Sequence, residues 1–305
     1  MKFSKPTKRA GKYEELTHDL RAIIDVPVSD GFSCNISKLL SPHFQVGHSI
    51  GFGQRQAPPS YMFKPMYAKN NFSLMGGVDP SGNVSMQTRY VVGSFGAVSA
   101  TAQAVPSQRA FQYGVEAEAY GPTTTVAVKA HSTPFFGAGM TQAITDNIAI
   151  GGEVLHVVAR KMTIGSAGGR VSFPAKPASE LLAKYTKQGE NLPHPATQSP
   201  ALGQVVSVNV NSMKTVTAGF VRQLSERFTA AVEVEANIAN KKMVSTVAYE
   251  GRFPEAVVKA SANSQGQVMS SVSHQLAPGA TLSLSAGLSF KDNGYVTGMG
   301  ISFGQ

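Results

Sequence analysis

Tryptophan is absent from this 305-residue chain, cysteine occurs once, and only 15% of the residues are charged. The lone Cys34 excludes an internal disulfide and a cysteine-built metal cluster. No window approaches the roughly 18 consecutive apolar residues that a membrane-spanning helix requires. The first residues lack the apolar core of a secretory signal. The three sequons at Asn35, Asn71 and Asn83 therefore read as chance. The seven histidines show no helical ligand spacing and no H-E-x-x-H arrangement, which argues against zinc. Gly51-Phe52-Gly53 and Gly298-Met299-Gly300 do not complete a nucleotide-binding loop, and no nucleophile elbow appears. No cofactor is expected, and no enzyme.

What fills the chain instead is alternation. Phe44-Gln45-Val46-Gly47-His48-Ser49-Ile50-Gly51-Phe52 shows it early, and Thr281-Leu282-Ser283-Leu284-Ser285-Ala286-Gly287-Leu288 shows it late. Successive side chains of a strand point to opposite faces, so each segment has one apolar face and one small, polar face. Strands are expected at 31–41, 43–53, 60–68, 71–78, 83–92, 95–105, 110–120, 123–132, 134–143 and 147–158. They continue at 163–173, 204–211, 214–223, 227–238, 242–250, 254–263, 266–275, 280–290 and 294–303. Almost no helical period accompanies them. A sheet of some nineteen strands without a covering layer must hide its apolar face in another sheet, inside itself or in lipid.

Tyr13 to Ile24 is the exception. Glu14 and Glu15 occupy its first turn, where the helix dipole favours acids, and Leu16, Leu20, Ile23 and Ile24 share one face. Pro27 ends it. One such helix cannot cover the sheet, but it can plug or line a barrel. Residues 1–30 are thus expected as a basic segment and amphipathic helix, and 31–305 as one barrel domain. A Pro-rich loop insertion at 174–203, with a short helix at 178–185, interrupts the rhythm. The fold class is all-β: a transmembrane β-barrel with the N-terminal helix inside the pore.

The net charge of +9 raises nucleic acid as a partner. Only Lys2, Lys5, Lys8, Arg9 and Lys12 are clustered, however, and no platform of stacking aromatics accompanies them, so nucleic acid is not expected. Charges inside strands say more. Glu116 and Glu118 share a face opposite Val115, Ala117 and Ala119, and Glu233 and Glu235 repeat the pattern. Lys129 and Lys259 likewise stand opposite Val and Ala. A charge facing the bilayer midplane costs about 2–4 kcal/mol, so if Val and Ala meet lipid these residues line the lumen. The other arrangement, a soluble barrel with an apolar interior, would need one packed core to absorb all of the apolar face.

The run from Gly11 to Leu16 leading into Lys38-Leu39-Leu40-Ser41-Pro42-His43-Phe44-Gln45-Val46-Gly47-His48 resembles a known family. It is similar to the pore-forming subunits of the translocase of the outer mitochondrial membrane, within the eukaryotic porin superfamily. Their second strand reads leucine-Ser-x-His-Phe-Gln-Val-x-His, and Ser41 to His48 match it. Gly151-Gly152-Glu153, the strand from Glu233 to Asn237 and the close from Lys291 to Gly304 are also similar.

The resemblance implies nineteen strands closed by parallel pairing of the first and last, in the mitochondrial outer membrane. It implies conduction of unfolded precursor proteins bearing presequences. The partners it implies are presequence receptors, small helical subunits, further copies of the pore and membrane lipid. In the family's sorting signal Gly298, Ile301 and Phe303 fit, whereas Val296 stands at its polar position. The 174–203 insertion is longer than the family pattern.

A metabolite- and anion-conducting porin of the voltage-dependent type is the alternative. This chain lacks that type's Gly-Leu-Lys strand motif, and Glu116, Glu118, Glu153, Glu233 and Glu235 supply acids where an anion pore wants a basic wall. A presequence is an Arg-rich, acid-poor amphipathic helix. Acids along a wet path would steer it without trapping it.

Overall fold

The computed structural model describes residues 11–53, 58–173, 203–291 and 293–304. Nineteen strands hydrogen-bond into a single closed sheet. They run β1 Gly31–Ser41, β2 Phe44–Phe52, β3 Ser60–Lys69, β4 Phe72–Val78, β5 Val84–Val92, β6 Gly96–Val105 and β7 Ala110–Tyr120. Next come β8 Thr124–His131, β9 Phe135–Thr145, β10 Ile148–Val157, β11 Met162–Phe173, β12 Gln204–Asn211 and β13 Thr215–Gln223. The ring is completed by β14 Phe228–Asn237, β15 Lys242–Arg252, β16 Ala256–Asn263, β17 Gln267–Ala277, β18 Ala280–Ser289 and β19 Gly294–Gly304. Every expected strand is present, with bounds shifted by at most two residues.

Neighbours in sequence pair antiparallel throughout. The ring closes where β1 runs parallel to β19, with Gly31 opposite Gly298 and Ser37 opposite Gly304. An odd number forces this. Strands one and nineteen of an up-and-down meander point the same way, so only a parallel ladder can join them. Closure removes the exposed edges, and with them the unpaired backbone groups that lipid would not tolerate. Strand spacing of about 4.8 Å and a tilt near 40° give a ring roughly 35–40 Å across the backbone, wide enough for an aqueous lumen.

Pairing register sorts the side chains. Val98, Val115, Val126, Val128, Met140, Ile150, Val154, Val208, Phe220, Val232 and Val247 all point outward and are exposed. A band this continuous far exceeds the apolar patches of water-soluble monomers. It is a surface made for acyl chains. Ser33, Asn35, Ser49, Ser73, Gln87, Ser99 and Thr101 point inward, as the alternation requires.

Residues 13–24 lie inside the ring. They form a 3-10 turn at Tyr13–Thr17 and then α1 at His18–Ile24, where the sequence indicates one continuous helix. Lys12 provides no side-chain cap, and Lys12, Tyr13 and Glu14 are each drawn to the wall by polar contacts, which tightens the first turns. The only apolar core among the described residues is the seat of this helix: Leu20, Ile23 and Ile24 against Val205, Val221, Ala231 and Ala248. The segment from 174 to 202, with its expected short helix, lies outside the described residues, as do residues 1–10.

Candidate functional site: the lumen wall and its helix

The 3-10 turn and α1 lie along an arc of wall from β7 to β16, and each cation of that segment finds an acid. Lys12 Nζ lies 3.0 Å from Glu116 Oε1 and 2.5 Å from Glu118 Oε1. Glu118 is 6% exposed, and its second oxygen also faces Arg89 at 3.4 Å and accepts from the Tyr120 hydroxyl. Arg21 reaches Glu233 Oε1 at 3.3 Å. Two acids of the segment are matched in turn: Lys129 spans Glu14 at 2.5 Å and Glu153 at 3.0 Å, and Arg170 pairs with Asp19. Lys259 donates to the Ala22 carbonyl at 2.7 Å, which satisfies one of the free carbonyls near the helix end. The Tyr13 hydroxyl donates to Asn209 Oδ1 at 2.7 Å, and the Thr141 hydroxyl donates to the Gly11 carbonyl.

Small residues make room for this. A Cβ at Gly219 would overlap the Leu20 side chain, and one at Gly151 would press on Thr141 and Tyr13. The wall under the helix is therefore thinned where the helix is bulky. Farther along, Ser29 binds the Ser285 hydroxyl through its amide nitrogen at 3.0 Å, close beside the β1–β19 seam. A Cβ at Gly298 would run into the Ser29 carbonyl. Gly298 thus has a packing reason to be glycine apart from any sorting role. Ile301 and Phe303 lie on the opposite, outward face of β19, in register with Cys34 and Ile36.

Of the residues singled out in the sequence, Glu116, Glu118, Lys129, Glu153, Glu233 and Lys259 all meet the helix segment or share a partner with it. Glu235 shares their face but is exposed and has no ion pair among the described residues. Four further charged wall residues, Arg89, Arg170, Glu250 and Arg252, take part without belonging to that set. Glu250 is 2% exposed and is held by Arg252 and by Lys259 at 3.3 Å. The signal was available: each lies on the polar face of an alternating strand. Lys64, Arg89, Lys129, Arg170, Arg252 and Lys259 share the inner face with the glutamates, so the wall is electrically mixed rather than acidic.

Burial works against charge on Lys12, but hydrogen bonds and attraction from Glu118 and Glu116 outweigh it and hold its pKa above the ordinary 10.5. A raised pKa means the pairing is fully present below pH 10.5 and is lost as pH climbs through the folded-state value. Lys12→Met should abolish the alkaline loosening of this segment, measured by hydrogen exchange of the Gly11–Leu16 amides between pH 9 and pH 12.

A closed ring of tilted strands, an apolar outer band and a wet inner wall together define a membrane-spanning β-barrel pore. Comparison with known proteins narrows the class. The model of the eukaryotic porin family matches residues 9–298. A probable mitochondrial import receptor subunit TOM40-2 of Arabidopsis thaliana is 20% identical, over 95% of this chain and 89% of that one. A TOM40 homolog 2 of Drosophila melanogaster is 25% identical over 96% and 84%, and a Mus musculus homolog 24% over 96% and 78%. Among solved structures, a mutant Rh. blastica porin gives a TM-score of 0.49 at 9% identity, covering 86% of this chain and 96% of that one. The chain belongs to the eukaryotic porin family. It is a β-barrel of the mitochondrial outer membrane.

Proposed function

We propose that this barrel is the protein-conducting channel of an outer-membrane import translocase, passing unfolded precursors led by their presequences. The observation that carries the reading is the wall's treatment of its own N-terminal segment. It holds a short helix by setting acids against Lys12 and Arg21 and small apolar residues against Leu20, Ile23 and Ile24. A presequence offers the same two chemistries, a basic face and an apolar face. Helix width is about 10–12 Å, so the docked segment leaves room beside it for a second helix in a lumen of this size. The similarity to import receptor subunits points the same way. Glu116, Glu118, Glu153, Glu233 and Glu235 would bind the passing basic face, with Lys129 and Lys259 setting its register. Presequence receptors, small helical subunits and further copies of the pore are the partners this role entails. Gly298, Ile301 and Phe303 would serve membrane sorting.

The mixed charge of the wall supports one alternative, a metabolite-conducting pore. Planar-bilayer recording with added presequence peptide separates the two. A cation-preferring conductance blocked by micromolar peptide, with the block fading as salt rises, is the expected result. Anion preference with indifference to peptide would assign the pore to metabolites.

A further inference from the structure

In their described turns the two rims of the barrel differ in charge. Turns that follow even-numbered strands gather at one end, and turns that follow odd-numbered strands gather at the other. At the first end Arg109, Arg160, Lys161, Lys214, Lys241 and Lys291 occupy interstrand turns, and Asp79 is the only acid in the described turns there. That one acid is engaged, accepting from the backbone and side chain of Asn83. The opposite rim carries Asp146, Glu226 and Glu255 against Arg227 in its described turns.

Backbone conformation sharpens the contrast. Arg109, Lys161, Lys214 and Lys241 have φ of 49°, 48°, 60° and 51°, the left-handed region that glycine and asparagine enter most readily. The same conformation falls to Gly53, Gly82, Gly266 and Asn293 in other turns of this rim, and at the opposite rim to Asn70, Gly93 and Gly279, never to a cation. A turn that needs only left-handed geometry has no use for a long cation. None of the four forms an ion pair among the described residues, and all four are exposed. Each stands within a few residues of an exposed apolar side chain: Phe111, Val158, Met213 and Ile238. Neighbouring turns of one rim are two strands apart, so Lys161, Lys214 and Lys241 follow the circumference at roughly 10 Å intervals, with Arg109 and Lys291 about 20 Å farther along on either side, rather than meeting in one patch.

We propose that this rim binds the phosphate-bearing headgroups of anionic lipids in the leaflet it meets. The turns are short and barely project, so the cations stay at headgroup depth, directly beyond the band that meets acyl chains. An acidic protein would instead favour a compact patch raised from the membrane. The arc follows the lipid ring, and juxtamembrane lysines and arginines draw anionic lipid in this way. The proposal stands whatever cargo the pore conducts.

Native mass spectrometry of the full chain in detergent, titrated with phosphatidylserine or phosphatidylcholine, tests it. Wild type should retain phosphatidylserine about fivefold or more over phosphatidylcholine, the discrimination that a single such cation supplies. The combined variant Arg109→Asn, Lys161→Asn, Lys214→Asn, Lys241→Asn keeps residues that tolerate the left-handed turn and should bring the ratio toward one. Lys69→Asn with Arg227→Asn, at the other rim, should leave it unchanged. Equal selectivity in wild type and the four-site variant overturns the proposal. So does lipid indifference accompanied by salt-sensitive binding of a polyglutamate peptide, which would assign the rim to an acidic protein.

Discussion

Leu20→Ala is expected to free the N-terminal helix from the wall while the barrel stays closed. Leu20 is 2% exposed and belongs to the apolar cluster that seats the helix, against Gly219. Truncating such a side chain costs about 2–5 kcal/mol, which shifts the docking equilibrium by roughly thirtyfold or more. Part of the remaining docking energy comes from ion pairs such as Arg21 with Glu233. Arg21 is about half exposed, and pairs of that kind contribute at most about 1 kcal/mol. They cannot replace the lost contact. Gly219→Val attacks the same seat from the wall side, because its first added carbon already overlaps Leu20. Both variants should expose Arg21 to trypsin in the purified barrel, with the far-UV strand signal unaltered. Cleavage at the wild-type rate in both would show that the ion pairs, not Leu20, hold the helix.

The wall was far more legible in the sequence than the site. Period-two alternation is a local property repeated nineteen times, and each strand reports it independently, so errors do not propagate. Alternation leaves the count open by a strand or two, so the parallel seam of an odd meander was implied by the family resemblance rather than by counting. The helical segment spans Tyr13–Ile24 as expected, but that its first five residues are 3-10 is not legible, because a 3-10 turn and an α-helix share the same amphipathic signal over so short a stretch. What separates them here is the pull of Lys12, Tyr13 and Glu14 toward Glu118, Asn209 and Lys129, positions more than a hundred residues away. For the same reason the inward position of Glu116 or Lys129 could be read from its strand, but its partner could not. Alternation says which face a side chain takes and nothing about what faces it across the lumen. Arg170 and Glu250 show the same limit. Arg170 is a single charge in its strand, unremarkable until Asp19 is seen beside it, and Glu250 ends the expected 242–250 strand, which leaves Arg252, its same-face partner two residues on, outside that strand.

Pairing of the acids with the chain's own cations also changes what their removal should do. Glu116, Glu118, Glu233 and Glu235 replaced together by glutamine should weaken presequence binding by tenfold or more at low salt, with the difference closing as ionic strength rises. The cause would be ambiguous if only that variant were measured, because Glu118 and Glu233 also hold Lys12 and Arg21. Glu235 resolves it. It lies on the same face, is exposed, and has no ion pair among the described residues, so Glu235→Gln subtracts attraction for cargo without releasing the helix. Glu118→Gln does the reverse first: it leaves Lys12 with Glu116 alone and loosens the segment. If the wall acts directly on cargo, Glu235→Gln should lower presequence affinity severalfold with trypsin access at Arg21 unchanged. If the docked helix itself occupies the cargo's place, Glu118→Gln should raise affinity, because vacating the arc opens it to a second basic helix. Measuring peptide affinity and Arg21 cleavage in the same two single variants distinguishes steering by free acids from competition with a resident helix. No change of affinity in either variant at 50 mM salt would remove these glutamates from the translocation path.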